Sequence, residues 1–166
     1  MDIFNKVIKE SMIGDLTHSC VLEALKGLTH DQAIEKPIAN SQSTYEILYH
    51  MFVWQDIFLK NIKDEPADWE EANKSANIQL TKKAKEYLTE KTWEQLVDDF
   101  KCDFNEANAL LDTIDLNKPM KTFENKPTLK MYCILNQHNS YHMGQIIKNR
   151  VAQETWPLKE FEQIIE

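Results

Sequence analysis

Late in the chain, the stretch His138-Asn-Ser-Tyr-His142-Met-Gly-Gln places two histidines four residues apart. On a helix such a pair projects from one face, one turn above the other. Two imidazoles so placed can grip a single metal ion. A third histidine, His50, falls on the apolar stripe of an earlier predicted helix. Three neutral imidazoles around one ion leave at least one position open to water or substrate. An open position separates catalytic sites from closed structural ones. A divalent ion there would lower the pKa of a bound water or thiol and offer a Lewis-acid contact. Nitrogen-only ligation suits zinc and nickel first, and copper or ferrous iron as well.

Other residues near these three could support the same chemistry. Gln145 lies about one turn beyond His142 and can fix an imidazole or a bound water by hydrogen bonding. Trp54 and Tyr141 lie close to the histidines and can wall a pocket, and Tyr141 can donate a proton. Plain aromatic packing competes with both roles. Two rival metal sites fail on residue types. His138-Asn-Ser-Tyr-His142 lacks the glutamate of the HExxH metalloprotease helix. The paired Glu-x-x-His motifs of di-iron bundles are also missing. His18 reads as a partly exposed or hydrogen-bonded residue, and His30 as a solvated loop residue. The three cysteines, Cys20, Cys102 and Cys133, form no CxxC and read as reduced, mostly packed thiols.

The elements that must position these groups read as helices. Apolar residues recur at helical spacing from Ile3 to Leu28, with Phe4, Val7, Ile8, Met12, Leu16, Leu22 and Leu25 on the predicted stripe. Gly14 in the middle suggests a close approach. A second helix opens on the capping signature Ser43-x-x-Glu46 and runs to about Ile62. Its stripe is Ile47, His50, Met51, Trp54, Ile57, Phe58 and Asn61. A third begins after Thr92-x-x-Gln95 with Trp93, Leu96, Phe100, Phe104 and Ala107 inward. The fourth spans about Thr128 to Ala152. Met131, Ile134, Leu135, His138, Tyr141, His142, Gln145 and Asn149 are expected on its inner face. Short helices from Asp68 and from Thr81 to Leu88 are expected in the 63–91 connection, with Trp69 as a lid or packing residue. A short amphipathic piece is expected from Leu158 to Ile165. The expected architecture is an all-α four-helix bundle over residues 1–166, one domain.

Composition narrows the partners. The formal charge of −8, spread along the chain, lacks the basic face that phosphate backbones require, so nucleic acid is not an expected partner. No apolar run is long enough to span a bilayer. The first residues carry no apolar core of the secretory kind, and the expected setting is cytoplasmic.

Taken together, Ser43-Thr-Tyr-Glu-Ile-Leu-Tyr-His50-Met-Phe-Val-Trp54-Gln and His138-x-x-x-His142-x-Gly144-Gln145-Ile146 resemble the DinB/YfiT-like superfamily of metal-binding four-helix bundles. The chain departs at Met143, where many members carry arginine. The resemblance implies a three-histidine metal site at His50, His138 and His142, frequent homodimers and a bacterial cytoplasmic setting. It further implies a metal-dependent enzyme, foremost a thiol-dependent S-transferase using a low-molecular-weight thiol such as bacillithiol or mycothiol. The alternatives are a hydrolase using metal-bound hydroxide and a non-catalytic metal-binding or stress-response bundle.

Overall fold

The computed structural model describes residues 3–14, 18–78 and 80–156. The fold is all-α apart from one two-residue β-pairing, β1 (Pro119–Met120) against β2 (Lys126–Pro127). In chain order the helices are α1 (Ile3–Ile13), α2 (Val21–Leu25), α3 (His30–Ile34), α4 (Thr44–Ile62), α5 (Trp69–Asn73), α6 (Leu80–Glu90), α7 (Trp93–Leu110) and α8 (Thr128–Ala152). A π-helical turn at Lys74–Ile78 follows α5 directly.

Helix α4 is the centre, packed against α6, α7 and α8. Its start is fixed as its sequence requires. The Glu46 amide donates to Ser43 Oγ (3.1 Å), and the Ser43 amide donates to Glu46 Oε2 (3.0 Å). Lys36 lies 2.9 Å from the same buried carboxylate. Thr92 and Gln95 close the equivalent box on α7. Pro127 precedes α8 without a side-chain cap. The first α8 amides are instead taken by loop carbonyls, Thr128 N–H by Lys118 O (2.9 Å) and Leu129 N–H by Leu116 O (2.8 Å). The core between α4, α7 and α8 holds Leu48, Met51, Phe58, Leu96, Phe100, Tyr132 and Ile146. A polar link crosses it, with Gln55 Nε2 donating to Phe100 O (2.9 Å) and Asn139 Nδ2 meeting Gln55 Oε1 (3.5 Å).

Three sequence expectations change here. The first helix does not continue to Leu28: α1 stops at Ile13, and α2 is a separate element. Gly14 has φ +78°, and a Cβ on it would lie 2.3 Å from the His18 carbonyl oxygen, so the returning chain occupies that space. The expected close approach is therefore made by the chain's own backbone. The α1 stripe is also turned, with Asn5, Ile8 and Met12 buried and Phe4 and Val7 exposed. Asn5 faces inward because its Nδ2 donates to Leu111 O (2.6 Å) at the end of α7. On α8 the buried residues include Tyr132, Asn139, Met143, Ile146 and Arg150, while Ile134 and Tyr141 face outward. Polar side chains there are buried because carbonyls receive them. Arg150 Nη1 donates to Ala24 O (2.8 Å) and Asn149 Nδ2 to Gln42 O (3.0 Å). Met143 is part of the apolar core.

The 63–91 connection forms α5, the π-helical turn and α6, so its expected short helices are present. Cys102 and Cys133 are exposed and Cys20 half-buried, rather than mostly packed. His30 is not a solvated loop residue: it opens α3, and its Nδ1 accepts from the Trp93 amide (3.2 Å). The piece expected over Leu158–Ile165 lies outside the described residues.

Candidate metal centre

His50 comes from the middle of α4, and His138 and His142 from adjacent turns of α8. These two helices are packed neighbours, so the three rings converge. Ring centroids are 5.0 Å apart for His50 and His138, 4.6 Å for His50 and His142, and 4.4 Å for His138 and His142. One ring nitrogen from each lies within 4.8 Å of the others. His50 Nε2 and His138 Nε2 are 3.0 Å apart. Two nitrogens bound at about 2.1 Å to one ion, at a right angle, would sit roughly 3.0 Å apart. The spacing of this pair therefore fits a shared ion.

The far side of each ring decides which nitrogen faces the cluster. His50 Nδ1 is 3.0 Å from the Ala76 carbonyl, an acceptor only, so Nδ1 carries the proton and Nε2 presents a lone pair. His142 Nδ1 donates to Gln145 Oε1 (2.7 Å), with the same consequence for its Nε2. Gln145 Nε2 in turn donates to the Tyr141 hydroxyl (3.2 Å). Among the described residues, His138 Nδ1 is buried with no hydrogen-bond partner. Without an ion, His138 can carry its one proton on Nε2 and donate to His50 Nε2 (3.0 Å); with an ion, both Nε2 lone pairs can turn to it.

Electrostatics point the same way. Burial lowers the His50 pKa below the ordinary imidazole value, against a smaller opposing effect of its bond to Ala76. Burial, then the neighbouring His142 and His50, bring His138 down to about 3. Burial brings His142 down to about 4, opposed by its bond to Gln145. All three rings are thus neutral at pH 7, the form that donates to a metal. Among the described residues the cluster is imidazole throughout, with no carboxylate or cysteine in it.

Around the cluster the other sequence candidates divide. Trp54 stands edge-on to both His50 and His138, with centroids at 6.4 and 6.5 Å. Trp69 packs on Trp54 at 4.9 Å and on Phe123 at 5.3 Å, in the covering position expected of it. Gln145 reaches His142 directly. The Tyr141 ring lies beside His142 at 5.0 Å, but the side chain is largely exposed and its hydroxyl is engaged by Gln145. His18 is not in the cluster. Its Nδ1 donates to Ser19 O (2.8 Å) and its Nε2 accepts from Ser140 Oγ (3.0 Å). This is the hydrogen-bonded histidine the sequence suggested. Ala76 was missed, since a backbone carbonyl within a π-helical turn leaves no side-chain signature.

No curated protein and no solved structure matched this chain. A family model, the DinB superfamily, matches residues 15–146. The matched span contains His50, both α8 histidines and Gln145. The all-α fold and this match together make the chain a member of the DinB superfamily.

Proposed function

We propose that this protein is a metal-dependent enzyme that uses His50, His138 and His142 to hold one divalent transition-metal ion and activates a small thiol for transfer to an electrophile. The observation that carries this reading is the convergence of three neutral imidazoles from α4 and α8, two buried and one half-buried, with two of them oriented from behind by fixed acceptors. The ion would supply a Lewis-acid contact that holds a thiol as thiolate, its nucleophilic form.

The chain's own residues have separate tasks in this scheme. Ala76 and Gln145 fix ring orientation and keep the Nδ1 protons of His50 and His142 away from the ion. Trp54 and Trp69 cover one side of the cluster and exclude water there. Among the described residues no carboxylate joins the cluster, so a hydrolytic reaction there would draw on metal-bound hydroxide itself, and dependence on added thiol separates the two reactions.

Elemental analysis of protein purified without an affinity tag should find about one equivalent of zinc, nickel, copper or iron per chain. His138→Ala should lose it. Turnover of a panel of electrophiles should require an added low-molecular-weight thiol. Stoichiometric metal with thiol-independent ester or amide hydrolysis would replace the transferase reading with the hydrolytic one. Metal without either activity would leave a non-catalytic binding protein.

A further inference from the structure

The histidine cluster adjoins a cavity of about 300 Å³. Its walls come from four parts of the chain: Trp54 on α4, Trp69 on α5, Phe123 before β2, and Met131 on α8, with His138 also in the lining. The three aromatic rings follow one another in tilted or edge-to-face contact rather than filling the space between them. Lys126 is the one cationic side chain in the lining, and it is ion-paired with Glu124. The walls therefore offer apolar surface and no unbalanced charge. An apolar cavity beside polar reacting groups is the usual form of a small-molecule site, and this volume is at the lower end of the range.

The geometry points to a neutral, flat apolar group of one or two rings as the part of the substrate that occupies this cavity, with its reactive atom toward His138. This names the substrate class of the proposed site and rests on that reading for its chemistry. The binding of the ring itself rests only on the cavity. Aromatic walls give such a group edge and face contacts as well as burial. A charged occupant would lose its hydration to walls that are almost wholly apolar.

The test uses 2-naphthol as the probe, titrated by calorimetry into the whole protein, both freed of metal by chelation and loaded with zinc. Saturable binding to the metal-free protein is expected, with weaker binding of 2-naphthoate and of 2-naphthylmethylammonium. Met131→Trp, which fills the cavity, should weaken 2-naphthol at least tenfold. Trp69 lies on a five-residue helix with no buried residue, so Trp69→Ala provides the same test should the first variant not fold. Its expected loss is roughly tenfold. No saturable binding, affinity unchanged in the folded variant, or preference for a charged probe would each overturn the inference. Failure to take up zinc, with 2-naphthol still bound, would remove the metal reading and leave this one standing.

Discussion

Gln145 shows how a single side chain tunes the site without belonging to the cluster. Its Oε1 takes the His142 Nδ1 proton at 2.7 Å, which fixes the tautomer and the ring plane. Gln145→Leu removes that acceptor while keeping much of the bulk. Zinc affinity, measured by competition with a chelator, should fall on the order of 10–100-fold with little change in melting temperature. Unchanged affinity would show that His142 is positioned by packing alone. The three histidines and Gln145 were legible in the sequence because their types and spacing carry the chemistry. The Ala76 carbonyl was not, since what matters there is backbone geometry 26 residues from His50. The inner face of α8 was only partly legible. Asn149 was placed inward correctly, but hydrophobic periodicity cannot anticipate that Arg150 is buried, because its partner Ala24 O is a distant main-chain atom.

Among the elements, the capped helices α4 and α7 were the most readable, since Ser43/Glu46 and Thr92/Gln95 mark their starts locally. The break after α1 was not, because a glycine within a helical pattern does not declare whether it continues or turns. Two glycines now make a matched pair. Alanine at Gly14 must adopt φ +78° and place its Cβ 2.3 Å from the His18 carbonyl oxygen. Gly14→Ala should cost at least about 2 kcal/mol in denaturant unfolding. Gly144 lies within α8, and a Cβ there would meet nothing within 4 Å. Gly144→Ala should stabilise by roughly 0.5–1 kcal/mol in the same measurement. Equal effects at the two sites would contradict the described end of α1.

For the molecule as a whole, the neutral histidine cluster links stability to pH. Imidazoles free in the unfolded chain protonate below about pH 6.5, whereas folded His138 and His142 resist until about 3 and about 4. Between those limits the unfolded state binds more protons, so stability falls as pH falls. Asp103 acts in the opposite sense, because burial, Asp56 and Glu106 raise its folded pKa to about 6. Metal-free wild type and His138→Ala share Asp103, so their comparison isolates the histidines. Between pH 6.5 and 4 the melting temperature of the wild type should drop more steeply than that of the variant, and parallel curves would refute the coupling. The wide turn at Lys74–Ile78 joins two functions that are usually separate, since it holds the carbonyl that orients His50 and directly follows the helix that carries Trp69. Deleting one residue from such a turn restores ordinary helical winding with the flanking segments nearly in phase, because five residues of the wide turn and four of an α-helix cover about the same angle. The change would fall on the turn's own carbonyls, so the acceptor behind His50 would move while the ligand-bearing helices stayed in place.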